Sequence, residues 1–562
     1  MLKLNETDAE SATDRHRTPW HNIPFKIANA SWHNTLSLKI AKRCNMKKVL
    51  CVIAALSIIL TLSSCKESGS KVITYETEVL PDSVDPLIAS NDTELTILYN
   101  IFEPLLLLES DGSFSCGAAE SYSLSDDKLT LSFTLRKDAK WSDGEAVNGA
   151  DFAFNLKRAV DPSTCFAGSA ALSGIKNAKA IMSSEQSPEA LGISYDDGSL
   201  TVYLEREDSE ILYAFAGPAG MPCRENSFYE SGGKYCMTKD TTISNGPFAL
   251  SRWVKSQGEE TAKFINNKYY SGPRATNLGG VYIPLKKADG RLDRLKNGNI
   301  DCGTIDSSEV SSAGEKNQLL SDYCSSVAMA FSSAEGTAFA DDTIRKALYL
   351  STDRDNIQNA LPEFYEKAGD IVSPDSVCCG KLWRKDSPLT LPENTDGEFS
   401  DVFSSAKTGL SEKKVTSLSI AYETDEQKSV VNYTAQNWQK LFGIRVDTVK
   451  STRSQIIKGI KDGSFAAGMI SFDIDGSSAY STLLKLCAEG GGIVTDEGYT
   501  EAVYSSNKTL ESLEAAESSL VEKCLLLPMY YGKKYYVFSS DVSGQSLFPY
   551  SGTVDFTKAD LS

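Results

Sequence analysis

Two aspartates one residue apart, in the run Ser471-Phe472-Asp473-Ile474-Asp475-Gly476, are the acids of this chain most readily put to chemical use. Such a pair can act as general acid and base, ligate calcium, or serve as counter-charge to a cation. EF-hand calcium binding is excluded, because Leu484 stands where the bidentate glutamate belongs. Hydrolysis by Asp473 and Asp475 is a remote alternative: the pair sits in a turn before Gly476, and nothing else suggests carboxylates held across a scissile bond. Histidine chemistry is absent from residue 46 onward, since His16, His21 and His33 are the only three in the chain. That removes Ser-His-Asp triads, Cys-His pairs, HExxH zinc sites and imidazole ligands together. There is no GxSxG and no P-loop either. The expectation is a binding protein with no enzymatic activity, no cofactor and no metal.

Cysteine marks a different kind of site. Met46-Lys47-Lys48 precedes an apolar run from Val49 to Leu62, then Ser63-Ser64-Cys65. A basic start, a short apolar stretch and small residues describe a secretory signal, and the run is shorter than the ~20 residues a membrane-spanning helix needs. Leu62-Ser63-Ser64-Cys65 fits a lipobox, in which Cys65 is diacylated and becomes the first residue. The polar KESGSK stretch after it reads as a tether, giving a signal over 46–64 and a lipidated tether over 65–71. Residues 1–45 read as a start-site artefact or a disordered leader, with translation from Met46. Ten further cysteines, at 116, 165, 223, 236, 302, 324, 378, 379, 487 and 524, include no CxxC. Their connectivity stays open; Cys223 and Cys236 are the pair to test first, and the neighbours Cys378 and Cys379 read as separate thiols.

The elements that must position these groups follow from length and periodicity. With 562 residues, two or more lobes are expected, and a net charge of -18 repels nucleic acid. Leu129, Leu131, Phe133 and Leu135 alternate as a half-buried strand. Asp151 to Val160 is helical, with Phe152, Leu156, Ala159 and Val160 on one face, and Asp161-Pro162 stops it. Leu418, Ile420 and Tyr422 form a strand, and Val430 to Phe442 a helix closed by Gly443. Ile444 and Val446 open a second strand. Ile456, Ile457 and Ile460 mark a helix ending near Gly463, and Phe465 to Ile470 a third strand. This β-α-β-α-β order predicts a parallel sheet with ligands beyond the strands' carboxyl ends, where Ser471 begins.

Several blocks then occur in one order: VDP at Val84 to Pro86, IFEPLL near Phe102, and AESYSLSDDKLTLSFTLRKDAKWSDGEAVNGADF from Ala119 to Phe152. NGPFALSRW from Asn245, DDTIRKALYLSTDRDNI from Asp341 and LLLPMYY from Leu525 follow. From about residue 72 to the end, the chain resembles the solute-binding proteins of family 5, the extracytoplasmic oligopeptide, dipeptide and nickel group of ABC transporters. The resemblance implies an α/β, two-lobed periplasmic-binding-protein-like fold with an inserted subdomain and a ligand cleft between the lobes. It implies lobe I at 72–102, 201–324 and 534–562, the insert at 103–200, lobe II at 325–533, and a hinge near residues 325 and 533.

For such a protein the resemblance implies a monomer that captures an extended peptide and passes it to an ABC permease and its ATPase subunits, touching the membrane through its lipid alone. Ligand contacts are expected from Ser90, Asn91 and Asp92 and from Ser471, Phe472, Asp473 and Asp475, with Asp475 pairing the peptide's ammonium. Met469 stands where an arginine helps hold a short peptide's carboxylate in relatives, and Arg453 is the alternative carboxylate partner. A nickel chelate, haem or another non-peptide solute is the alternative ligand within the family.

Overall fold

The computed structural model describes residues 71–562, apart from 209, 257–258, 315–316, 359–360, 362–364, 393–395, 475–477, 488–491 and 506–507. Cys65, Asp475 and the signal segment therefore lie outside the described residues. The first strand, Val72–Glu76 (β1), buries Ile73 and Tyr75 by simple alternation. A turn then leads into Asp92–Ile101 (α1). The alternating run predicted around Leu131 is one strand of a four-stranded antiparallel sheet: Ala119–Leu124 (β2), Thr130–Leu135 (β3), Ile193–Asp196 (β4) and Ser199–Tyr203 (β5), ordered β2-β3-β5-β4. The predicted helix packs on it as Gly149–Val160 (α2), two residues longer than expected because Asn148 caps it by accepting from Ala150 N and Asp151 N.

Phe248–Ser256 (β6), Glu259–Asn266 (β7), Gly280–Pro284 (β8) and Cys302–Ile305 (β9) complete the first half of the main sheet. The long strand Gln318–Phe331 (β10) then carries the chain into a second core. There Val377–Cys378 (β11) and Lys381–Leu382 (β12) form a small hairpin. Ser417–Tyr422 (β13), Asp425–Phe442 (α3), Arg445–Lys450 (β14), Arg453–Asp462 (α4) and Ala467–Asp473 (β15) follow in the predicted order. Gly443 (φ 68°) and Gly463 (φ 77°) end their helices in the left-handed region that glycine enters without strain. The chain returns along Leu526–Phe538 (β16).

One eleven-stranded sheet runs β14-β13-β15-β10-β16-β9-β1-β8-β7-β6, with Glu366–Lys367 added beside β16. β13 is parallel to β14 and β15, and β1 to β8 and β9, whereas β10 runs antiparallel to both β15 and β16. Two large apolar cores flank this sheet. One gathers Ile73, Phe102, Trp141, Phe215 and Phe264 with Phe548 and Phe556 from the chain's end; the other lies within 327–530 around Phe331, Trp438 and Met469. These are the two lobes of a periplasmic-binding-type α/β fold. The β11–β12 hairpin is an exception to their separation, because Val377 belongs to the first core and Leu382 packs against it.

One boundary differs from the expectation in a way that matters. β15 runs on to Asp473, so Ser471, Phe472 and Asp473 are strand residues and not part of the loop beyond it. The cause is β10, whose Val327, Ser326 and Ser325 pair with them in turn and extend the ladder.

Candidate functional site

Only two extended strands, β10 and β16, pass between the cores among the described residues, and they are paired with each other along most of their length. Each carries an irregularity near the middle. Tyr323 and Ser325 face Lys533 and Gly532, leaving Cys324 as an extra residue on β10, and Val327 and Ala328 face Tyr530 and Pro528, leaving Met529 extra on β16. Such bulges bend a strand and loosen its ladder locally.

The two segments singled out in the sequence meet at this crossing. Asp473 at the end of β15 faces Ser325, and Ile474 N donates to Cys324 O at 3.0 Å. From the first lobe, the Asp92 carboxylate accepts from Lys534 Nζ at 3.1 Å, and Lys534 faces Asp322 in the ladder. Segments far apart in the chain therefore reach neighbouring stretches of the crossing pair, Lys534 on β16 and Cys324–Ser325 on β10.

Local chemistry explains the turn at Ser90. The Asn91 side chain accepts from Thr93 N at 3.1 Å and Glu94 N at 3.0 Å, capping α1. The buried Glu94 carboxylate accepts from the Ser90, Asn91, Asp82 and Ser83 amides. Asn91 is thus occupied in shaping the turn, while Ser90 and Asp92 are exposed. Asn91→Ala should cost about 1 kcal/mol, read as a lowered denaturant midpoint at unchanged slope; an unaltered midpoint would remove the cap's role.

On the second lobe, Phe472 is 1% exposed and turned into the core, with the Arg453 guanidinium 5.4 Å above its ring. Arg453 opens α4 and donates to Ser471 O, so it is half-buried against β15. Ser471 Oγ accepts from Gln427 Nε2 at 2.8 Å. Asp473 is exposed, and its carbonyl accepts from Lys485 Nζ at 2.9 Å. Met469 is fully buried in the same core. A cavity of about 460 Å³ in this lobe, lined by Phe331, Ile460, Val494 and Leu526 among others, includes none of the sequence-predicted residues.

The sequence reading missed Asp322. Burial and the Asp375 carboxyl beside it push its carboxyl up to about 7, against the pull of Lys534 at 4.0 Å. No spacing signals it, since Asp375 comes from a distant loop. An unfolded aspartate ionises near 3.8, so the folded protein holds an extra proton between the two values. That contribution is fully present below the unfolded value and lost as pH rises through about 7. Asp322→Asn should therefore stabilise the protein relative to wild type at about pH 8, on the order of 1 kcal/mol, and flatten its melting temperature between about pH 5 and 8. An unchanged pH profile would refute this.

Two blocks of the resemblance are structural as well. Asp85 of the Val84-Asp85-Pro86 motif accepts from Arg158 of α2 at 2.5 Å, and buried Trp141 donates to Asp151 at 3.1 Å. Cys223 and Cys236 are buried as free thiols, burial pushing Cys223 up to about 12.

The model of "Bacterial extracellular solute-binding proteins, family 5 Middle" matches residues 114–492. The chain belongs to this family. Family 5 members are binding proteins and not enzymes, and they act outside the cytoplasm. The dipeptide-binding protein DppE of Bacillus subtilis is 26% identical over 532 residues, covering 88% of this chain and 93% of the relative. A probable deoxycholate-binding periplasmic protein of Escherichia coli, YgiS, is 23% identical and covers 82% and 88%. Among solved structures, the unliganded open form of the murein tripeptide-binding protein MppA superposes with a TM-score of 0.71 at 22% identity, covering 88% of this chain and 98% of that one. Peptide-bound OppA of Listeria monocytogenes gives 0.64 at 22%, covering 88% and 99%. The family 5 match spans the whole four-stranded sheet, the crossing strand β10 and the second core as far as residue 492.

Proposed function

We propose that this protein captures extended peptides between its lobes and delivers them, chemically unchanged, to the permease and ATPase subunits of an ABC importer. The observation that carries this reading is the convergence of Ser90–Asp92 and Ser471–Asp473 on the β10–β16 crossing. A peptide lying there would run beside the end of β15, whose residues 471–473 pair with a strand on the β10 side alone among the described residues. Adding a strand there is the β-augmentation mode that tolerates many side chains. Relatives named for dipeptides, murein peptides and oligopeptides support the ligand class.

In this reading Asp475, two residues past the end of β15, pairs with the peptide's free ammonium. Ser90, Asp92 and Asp473 border the ligand; Asn91, Phe472, Ser471 and Arg453 hold the bordering segments in place. The bulges at Cys324 and Met529 act as the hinge between lobe I and lobe II, and the ligand closes the cleft because it touches both lobes only in the closed state. A signal over 46–64 directs export, and a lipid on Cys65 holds the monomer on the outer face of the cytoplasmic membrane.

The test is native purification followed by release of any bound compound and mass spectrometry. A ladder of host peptides with free amines supports the proposal. A single non-peptide compound would move the ligand class toward that of the deoxycholate-binding relative. An empty protein whose melting temperature no peptide raises would refute peptide capture.

A further inference from the structure

The β11–β12 hairpin brings two adjacent thiols against a buried acid from the other lobe. Glu210 lies between β5 and the helix Ile211–Phe215 of the first lobe and is 6% exposed. Cys378 ends β11 and is fully buried, while Cys379 follows it in the hairpin turn, half-buried with φ 53°. The two sulfurs are 3.5 Å apart and unbonded, as the sequence reading expected. Cys378 Sγ stands 3.6 Å from Glu210 Oε1, and one carboxylate oxygen and both sulfurs all lie within 4.8 Å of one another.

We propose that Glu210, Cys378 and Cys379 form a site for one thiophilic divalent cation of the zinc and cadmium class. This assignment goes beyond peptide capture and does not depend on it. Its first support is geometric. With metal–sulfur bonds of ~2.3 Å and metal–oxygen bonds of ~2.0–2.2 Å, a tetrahedral site sets sulfur–sulfur and sulfur–oxygen edges of roughly 3.5–3.8 Å. The Cys378–Cys379 and Cys378–Glu210 separations already have that length, so small rotations about Cys379 would complete the triangle.

The second support is chemical. Two thiolates are soft donors and the carboxylate a harder one that zinc also accepts; together their three negative charges exceed the cation's two, with a fourth position left for water. The third is that the site is held from outside and has an entrance. Cys379 N donates to Glu210 Oε1 at 2.5 Å, orienting the carboxylate. Arg384, just past β12, is fixed by the buried Glu517 at 2.5 Å, and Glu517 also accepts from the Ile371 and Val372 amides ahead of the hairpin. Half-buried Cys379 provides the way in.

A filled site ties the hairpin to the first lobe. Val377 also bridges to Ser478, the residue that caps the helix after the Asp475 segment, so the cation would steady the support behind that segment.

Cadmium titration of the reduced, metal-free protein tests this, read by thiolate-to-cadmium absorbance in the ultraviolet and by zinc calorimetry. One equivalent should bind tightly, and Cys378→Ser, Cys379→Ser and Glu210→Gln should each weaken binding at least tenfold. Glu210→Gln keeps an amide oxygen to accept from Cys379 N, which guards against simple misfolding, and exposed Cys165→Ser should change nothing. Zinc should raise the melting temperature of wild type and not of the Cys378→Ser variant. Absence of a one-equivalent phase, or a phase that survives Cys378→Ser and Cys379→Ser, would overturn the assignment.

Discussion

Exchanging Asp475 for asparagine should weaken peptide binding by about 2–5 kcal/mol, roughly thirty-fold to several thousand-fold. An ammonium enclosed in a closed cleft loses its water and needs a counter-charge there; asparagine keeps the shape and withdraws the charge. The cost is large because the ligand's charge is left buried and unpaired. Calorimetry with a peptide and its N-acetylated form separates this cause from a damaged site. Acetylation should cost wild type about as much as the substitution does, and cost the Asp475→Asn protein little further. If wild type binds both forms equally, Asp475 is a loop acid and the ammonium has another partner.

The second large effect belongs to the first lobe and to a residue that touches no ligand. Glu76, fully buried at the end of β1, accepts from Arg291 Nε at 2.9 Å and from Arg294 Nη2 at 2.6 Å. Arg291 is 1% exposed and also donates to Thr304 Oγ1 at 3.0 Å, so one cluster joins β1, the helix Arg291–Lys296 and β9. Glu76→Ala leaves a buried guanidinium without its main counter-ion and should cost about 3–5 kcal/mol. Because β9 pairs with β16, the loss should appear in the unfolding of the first lobe and on the near side of the crossing.

The pH dependence of that cluster has a definite sign. Burial pushes the Glu76 carboxyl up, but hydrogen bonds and charge from Arg294 and Arg291 outweigh it and hold it below the usual 4.5. Its contribution is therefore present above the unfolded value and lost as pH falls through the lower folded one. Urea unfolding at neutral and acid pH should show wild type approaching Glu76→Ala only at the acid end. A neutral-pH difference under about 1 kcal/mol would show that the arginines find other partners.

Elements whose signals are local were legible in the sequence. The alternation of Leu131, Phe133 and Leu135, the stripe from Val430 to Phe442, and the stops at Gly443 and Gly463 all report periods set within a few residues. The end of β15 was not, because the strand is prolonged by Ser325 to Val327 of a distant antiparallel partner. Phe472, expected among the ligand contacts beyond the strand, is a strand residue that alternates inward instead. Asn91 had a legible second role, since Asn followed by Glu94 at the third position is a capping signature. Asp322 and the Glu210–Cys378–Cys379 triangle were invisible for one reason: each is made by a long loop of one lobe seated against the other, and no single stretch of sequence encodes that meeting.

The first core also draws on both ends of the described chain. Buried Asn100 donates from Nδ2 to Val554 O at 2.8 Å and accepts from Phe556 N at 3.1 Å, and the Phe556 ring lies 5.8 Å from that of Tyr75. The second core is closed by residues 327–530 alone. A chain emerging in order from its N-terminus can thus finish its second lobe while the first still lacks its last pieces. Synthesis and folding are thereby uncoupled for the leading half: the earliest segments to appear wait longest for their partners. The first lobe therefore takes its final cooperative step only once the segment carrying Val554 and Phe556 has emerged.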